Sequence, residues 1–346
     1  MKNEAQVEIV DIGRWSEAAR PFLDRGHQQV PAYASALAGR QGGRIEAAVI
    51  RADSDVIGAA LIRRHGVPIM GGGIAYIAGG PLTRRGREDD LEALGQSLRA
   101  LQRHYSATHG MTLRILGPTG SPKWNAAANM TFGAAGFRYA RCARSYRTLI
   151  LNIDGGEDAL LSSFSKYWRR NVRRAWKQNA EIVTGVDDAL FAELEPLDDD
   201  LASRKTYRRV LDLRFYRELQ HRLPPADRLH AIVQRIDGVA QAGLVVSFLG
   251  DTAVPLSLVT TVEGLRRYGA YAVTWRSIEM ARDAGQRFYD VGGIDPIANP
   301  GGYDFKRGMR GVDLSAPGPF EHAAAGMSGT VVRNIERTVQ RLRRAA

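Results

Sequence analysis

The order in which strand and helix signals recur constrains this chain more than any single motif. A short strand-like run at residues 7–12 and an Arg- and His-containing segment at 20–33 come first. Apolar runs at 44–51 and 56–63, joined by a polar turn at 52–55, predict a hairpin of half-buried strands. A Gly-rich strand and turn follows at 71–81, then a helix at 88–109 that carries Leu91, Leu94, Leu98, Leu101 and Tyr105 on one face, then a strand at 112–116. The second half repeats the logic. A strand is predicted at 147–153, and a helix at 158–178 with Leu161, Phe164, Trp168, Val172 and Ala175 along one face. Helical segments at 190–196 and 212–221 flank an irregular basic stretch, 204–209. Strands at 229–236, 241–249 and 252–261, a helix at 271–285, a strand at 287–291 and a loop to residue 302 complete the unit. Strands, a helix, a strand and a loop occur twice, which predicts two similar α/β modules in tandem.

At 346 residues the chain has room for two domains of ordinary size. Its 44% hydrophobic and 25% charged residues are globular proportions that argue against disorder. Apolar stretches such as 242–246 fall far short of the roughly 20 residues of a membrane span. Glu4, Glu8, Asp11, Arg14 and Glu17 interrupt any signal-peptide core, so the expectation is a cytoplasmic protein without a membrane span. The single cysteine, Cys142, excludes an internal disulfide framework and a cysteine-based zinc site, and reads as a small buried hydrophobe. The formal charge of +11 points to phosphate-rich partners, against the plainer alternative of a solvated basic surface.

The densest basic stretch is 166–177, where six of twelve residues, Lys166, Arg169, Arg170, Arg173, Arg174 and Lys177, are cationic. No Asp or Glu occurs from Leu160 to Ala180. On a helix these cations sweep a broad face able to neutralise several phosphates, and exposed aromatic residues beside them can stack on bases. A terminal helix at 329–344, with Val332, Ile335, Val339 and Leu342 on one face, aligns Arg333, Arg337 and Arg341 on another. The second chemical stretch is Phe288-Tyr289-Asp290-Val291-Gly292-Gly293-Ile294-Asp295, followed after a loop by Tyr303-Asp304-Phe305-Lys306-Arg307-Gly308. Asp290 ends a strand, the paired glycines let a ligand approach main-chain N–H groups, and Lys306 supplies a fixed cation beside an aromatic ring.

Together these motifs resemble the FemABX family, the transfer-RNA-dependent aminoacyl ligases of peptidoglycan cross-bridge synthesis. Tyr76-Ile77-Ala78-Gly79-Gly80-Pro81 is similar to the family's first-lobe strand end, 160–181 to its basic helix, and 289–294 with 303–308 to its C-terminal signature. The resemblance implies an α/β (α+β) fold of two tandem acetyltransferase-like (GNAT) lobes, and since the sequence has no long heptad-patterned insertion, the coiled-coil arm of some members is expected to be absent. Residues 1–144 would form the first lobe, joined by a C-terminal helix at 320–346, and 145–319 the second, carrying the catalytic channel. It implies aminoacyl-tRNA as donor, and a peptide or a UDP-linked peptidoglycan precursor as acceptor, with no cofactor. Some members of the family have left cell-wall work for natural-product peptides. The family's channel-lining Phe-Lys pair corresponds to Phe305 and Lys306, and its phosphate-holding arginine to Arg204, with Arg208 the competitor. Arg40 and Arg44 are the nearby candidates for the family's first-lobe basic residue. Tyr303 and Asp295 join the expected acceptor contacts, and Asp290 or Asp295 relays the amine proton or holds the donor's ammonium. For Asp290 a purely structural strand-end carboxylate remains the alternative.

Other chemistries have little support in the sequence. There is no G-x-S-x-G elbow, no H-x-x-x-H or cysteine cluster, and 117–123 lacks the order of a phosphate-binding Walker loop. The rival reading is an acyltransferase using acyl-CoA, with glycine-containing backbone at 266–270 receiving the pyrophosphate. A non-catalytic RNA-binding protein would keep the basic helix but have no use for the Phe-Lys pair.

Overall fold

The computed structural model describes residues 4–66, 72–86, 90–140, 143, 145–204 and 211–324. The chain divides into two compact units, Met1–Tyr146 with Ser315–Ala346, and Arg147–Leu314. The first unit contains β1 (Gln6–Val10), α1 (Ile12–Ala19), α2 (Pro31–Gln41), β2 (Arg44–Ala52), β3 (Asp55–Gly66), β4 (Gly73–Ala78), α3 (Leu91–Leu101), β5 (Met111–Leu116), α4 (Pro122–Ala134) and β6 (Arg138–Tyr139). The second contains β7 (Arg147–Asn152), α5 (Glu157–Ser163), α6 (Lys166–Trp176), β8 (Glu181–Gly185), α7 (Asp188–Arg204), α8 (Leu213–Gln220), β9 (His230–Ile236), β10 (Val239–Leu249), β11 (Thr252–Thr260), α9 (Val262–Arg266), α10 (Gly269–Asp283), β12 (Phe288–Asp290), α11 (Pro300–Arg307) and β13 (Val312–Ser315). A last strand, β14 (Phe320–His322), belongs to the first unit's sheet.

The two sheets have the same plan. The first runs β1-β2-β3-β4-β5-β14-β6, and the second, from its other edge, β8-β9-β10-β11-β12-β7-β13. In each, the leading four strands pair antiparallel and the fourth pairs parallel with the fifth. α3 makes the parallel crossover in one unit and α10 in the other, as the connection between parallel strands requires.

The hairpin of β2 and β3 forms in the expected place, but its strands are buried on both faces rather than half-buried. Residues 47–50 and 59–62 are all buried. Alternate side chains go to opposite layers: Ala48, Ile50, Ala60 and Ile62 meet α3 and α4, while Ala47, Val49, Ala59 and Leu61 meet α1 and its following turn. The helices of that second layer were not expected from the sequence, although Asp11 caps α1 and Pro31 opens α2. The apolar stripe of α3 packs as predicted, with Leu94, Leu98, Leu101 and Tyr105 all fully buried. From Gln102 to Thr108 the helix widens to a π-helix rather than continuing as α-helix to 109.

In the second unit the helix expected over 158–178 is two. Phe164 adopts extended backbone and the Ser165 hydroxyl accepts from the Trp168 amide at 3.2 Å, so a new helix begins there. The predicted stripe survives the break, since Leu161, Phe164, Trp168, Val172 and Ala175 are all buried. α7 runs through Pro196, well beyond the expected end at 196. Its buried Leu190, Phe191, Leu194, Leu197 and Leu201 outweigh the hydrogen bond that proline removes. Residues 320–322 are strand, not helix, and the helix expected at 329–344 lies outside the described residues. Among the described residues no helix is long and apolar enough to cross a membrane.

One glycine shows how tightly the second unit is built. A Cβ on Gly264 in α9 would lie 2.0 Å from the Gln241 carbonyl oxygen, a backbone atom that cannot swing aside. Gly264→Ala is expected to destabilise the second unit by about 1–3 kcal/mol, the usual cost of overpacking. A fall in the midpoint of its thermal unfolding, followed by tryptophan fluorescence, checks this. An unchanged midpoint would mean that α9 is free to lift away from β10.

Candidate active site

The two units differ where their parallel strands meet. In the first, β4 and β5 pair over six residues, Gly73 to Ala78 against Met111 to Leu116, and the Gly79 amide extends the ladder to the Leu116 carbonyl. In the second, β11 pairs with β12 only at Thr252↔Phe288 and Ala253↔Tyr289. Beyond that point β11 stays with β10 and the chain after β12 stays with β7, through Val291 N to Leu149 O. Pro255 stands at the parting. It has no N–H for a ladder, and opposite it the β10–β11 register shifts between Val245 and Val246.

The chain leaving β12 is held by Asp290. This buried carboxylate accepts from the Gly292 amide at 2.8 Å and from the Thr148 hydroxyl, which also donates to the Gly292 carbonyl at 3.1 Å. Asp290 thus does the structural work of a strand-end carboxylate. Gly292 has φ of 78°, backbone that an L side chain rarely adopts. A Cβ there would sit 3.3 Å from the Pro255 carbonyl and 3.4 Å from the Lys306 ammonium. Lys306, half-buried on α11, donates to the Gly293 carbonyl at 2.8 Å. Burial lowers its pKa from 10.5 to about 8, while the Asp290 carboxylate draws it back up. The result is a lysine cation over two glycines, at the point where the strands separate.

α11 occupies a stretch that reads as loop in the sequence. Asn299 caps it by accepting from the Gly302 amide at 3.2 Å, and Pro300 takes the first turn. Phe305 and Lys306 leave this helix about 100° apart. Lys306 turns to the glycines, whereas Phe305 packs against Tyr271 (ring centroids 5.0 Å apart) and Trp168 (5.8 Å). The C-terminal end of α11 meets the start of α6: the Ser165 amide donates to the Gly308 carbonyl at 2.8 Å, and the Trp168 indole to the Phe305 carbonyl at 3.2 Å. Between them opens a cavity of about 590 Å³, walled by Tyr167, Trp168, Tyr271 and Phe305, with Arg307 and Arg310 also lining it.

Of the six cations expected to form a phosphate-binding face, Lys166, Arg170, Arg173, Arg174 and Lys177 are exposed. None of the six forms an ion pair with a carboxylate among the described residues. Arg170 lies over the Tyr167 ring, and Arg174 donates to the Tyr268 hydroxyl at 3.0 Å. Arg169 is half-buried and turned to another task, donating to the Ser162 and Phe164 carbonyls at the end of α5. Tyr167 and Trp176 are exposed on the same helix, at 61% and 52%.

The expected acceptor residues are scattered within the second unit. Arg204 is bound to Asp200 at 2.7 Å and to the Thr260 carbonyl, which ties the end of α7 to β11. Arg208 lies outside the described residues. Asp295 accepts from the Ile297 and Ala298 amides at 3.0 and 2.8 Å and shapes the turn before α11. Tyr303 is half-buried under the Arg307 guanidinium, 5.7 Å from its ring centre. In the first unit Arg40 sits in the last turn of α2 and Arg44 begins β2. Thr148, Tyr271, Ser165 and Arg310 were not singled out in the sequence. Only Ser165, a capping residue just ahead of an amphipathic run, carried a local signal there.

Residues 163–307, which include Asp290, Gly292, Gly293, Phe305 and Lys306, match the acetyltransferase (GNAT) domain family. The crystal structure of FemX superposes on the chain with a TM-score of 0.79 at 16% identity, covering 96% of this chain and 100% of that one. A conserved protein of unknown function from Bacteroides thetaiotaomicron VPI-5482 gives a TM-score of 0.54 at 13% identity, covering 93% and 98%. No curated protein matches the sequence. At these identities the likeness is one of fold: the chain has a FemABX-like fold of two tandem GNAT-like domains.

The lowered pKa of Lys306 has a stability consequence of definite sign. Between about pH 8 and 10.5 the unfolded chain binds a proton at this residue that the folded chain does not, so stability rises with pH across that window. Lys306→Met removes this dependence, and Asp290→Asn moves the lysine pKa further down. Urea unfolding from pH 7 to 11 checks the first, and titration of the dimethylated amine by NMR the second. Identical pH profiles for wild type and Lys306→Met would show that the ammonium is solvated.

Proposed function

We propose that this protein transfers an aminoacyl group from aminoacyl-tRNA to an amine on a peptide or a UDP-linked peptidoglycan precursor. The observation that carries this reading is the half-buried Lys306 ammonium over Gly292 and Gly293, where β11 and β12 part. The fold likeness to FemX and the 289–294 and 303–308 motifs favour the same reaction class. Both proposed substrates are cytoplasmic molecules, so the protein would act in that compartment.

In the proposed reaction the acceptor nitrogen attacks the ester carbonyl carbon. A C–N bond forms and negative charge collects on the carbonyl oxygen. Collapse breaks the bond to the ribose oxygen, which departs with a proton while the nitrogen gives one up. The ester is already activated, so holding the two reactants together supplies several kcal/mol of the acceleration. A preorganised positive donor at the oxyanion adds roughly 3–4 kcal/mol. Lys306 is assigned that role, and with a pKa of about 8 it can also pass a proton to the departing ribose oxygen. Asp290 acts through it, as a positioning residue that fixes the glycine backbone and supports the ammonium charge. Phe305 shapes the wall beside it. Lys166, Arg170, Arg173, Arg174 and Lys177 would engage the RNA backbone, with Arg169 bracing the helix. Arg204, released from Asp200, or Arg208 would hold the acceptor's phosphates, with Tyr303 and Asp295 at the edge of its path.

An acyl-CoA donor is the competing reading. It is favoured by the start of α10, where Tyr268 holds left-handed backbone (φ 59°) and no side chain caps the first amides, the kind of helix end that suits a phosphate.

The deciding experiment offers the protein a radiolabelled aminoacyl-tRNA pool, with and without ribonuclease, and acceptors that include UDP-MurNAc-pentapeptide. Ribonuclease-sensitive amide product is expected, and Lys306→Ala should lower turnover by about 10²–10³ while leaving the fold intact. Replacing Arg170 and Arg173 with alanine should weaken RNA binding at every sequence and reduce the salt dependence of the affinity by nearly two counterions. Transfer from acyl-CoA alone, with none from the RNA pool, would give the reaction to the competing donor.

A further inference from the structure

The cavity between α6 and α11 has a chemical character that the reaction itself does not require. An acyl group of variable structure needs a pliable apolar slot, whereas this cavity is walled by flat rings. Trp168, Tyr271 and Phe305 stand roughly edge to face, Trp168–Tyr271 at 5.2 Å and 68° and Tyr271–Phe305 at 5.0 Å and 67°. Tyr167 adds a fourth ring to the cavity wall, 61% exposed. A cluster whose purpose was core packing would not leave a tyrosine outside it and an open cavity of about 590 Å³ beside it, a volume inside the usual range for small-ligand sites. The cations complete the pattern. Arg307 is engaged with Asp304 at 3.2 Å, but Arg310 has no carboxylate partner among the described residues. Its backbone is left-handed (φ 56°), a conformation seldom adopted outside glycine.

We propose that this cavity is a nucleotide pocket, in which one unpaired base stacks among Tyr167, Tyr271 and Phe305 while Arg310 holds its phosphate. Aromatic faces accept any base, and guanidinium groups beside them take the phosphate, the combination by which proteins grip single-stranded nucleotides. The inference rests on the reading of the donor as a nucleotide-bearing acyl carrier. Two carriers share this chemistry, the 3′-terminal nucleotide of an RNA and the adenosine of CoA.

The test uses fluorescence polarisation of a 5′-fluorescein RNA hexanucleotide ending in 3′-adenosine, the same RNA with an abasic last position, and unlabelled CoA as competitor. Loss of the terminal base is expected to weaken binding roughly five- to hundred-fold. Tyr167→Ala, at an exposed position that leaves the fold undisturbed, should weaken the intact RNA by a similar factor and the abasic RNA hardly at all. Phe305→Leu should repeat that pattern, and Arg310→Ala should lower the salt slope by about one. Equal affinity for intact and abasic RNA, with no competition by CoA, would overturn the pocket, and ribonuclease-sensitive transfer would then stand without it. If CoA binds in a Tyr167-dependent way and the RNA does not, the pocket stands and the RNA donor falls.

Discussion

Two helix ends that satisfy one another hold this site together. The last carbonyls of an α-helix have no partner within it, and neither do its first amide hydrogens. At the end of α11 the Gly308 carbonyl takes the Ser165 amide, and the Phe305 carbonyl takes the Trp168 indole. The contact leaves no room for a side chain at Gly308, where a Cβ would lie 2.8 Å from the Trp168 ring. Through it the helix bearing Lys306 and the helix bearing the unpaired cations are fixed to each other as well as to the sheet. The ammonium and the basic face thus belong to one rigid arrangement rather than to two loops.

The sequence made the helix faces and the strand sequence legible because burial imposes periods of 3.6 and 2 that need no long-range knowledge. Leu94, Leu98, Leu101, Phe164, Trp168 and Val172 were readable for that reason, and all are buried. What hid α11 was composition: Pro300-Gly301-Gly302 looks like loop, and the helix is recognisable only through Asn299 as its cap. The orientation of Phe305 and Lys306 was equally hidden. The resemblance set both along one channel, and the helix turns Lys306 to the Gly293 carbonyl and Phe305 to Tyr271 and Trp168. The arginines resisted for another reason. Arg169 and Arg204 bind carbonyls at Ser162, Phe164 and Thr260, and backbone acceptors leave no mark in the residue types. Within the stretch that carries the resemblance, Asp290, Gly292, Gly293 and Lys306 converge.

The two sheets also show how one plan yields a passive and an equipped version. The first closes its parallel pair over six residues, with six consecutive buried side chains in β5. The second stops after two, where proline deprives β11 of a donor and a β-bulge shifts the neighbouring register. Backbone groups released from a ladder are costly unless something binds them. The Gly293 carbonyl, taken by the Lys306 ammonium, is one such group, so the gap in the sheet and the cation that fills it are parts of a single local solution.

The sheets differ as well in when their sixth strand becomes available. In the second unit that strand is β7, the first to be made; in the first unit it is β14, which lies between β5 and β6 and is separated from both by the whole of the second unit. A ribosome that has released the chain only as far as Leu314 has therefore supplied nearly all of the second sheet, while the first still has an open seam beside β5. An unpaired strand flank is adhesive. Assembly during synthesis then runs against the direction of translation: the half made last is able to finish before the half made first, which must keep its exposed seam shielded until Phe320–His322 arrive.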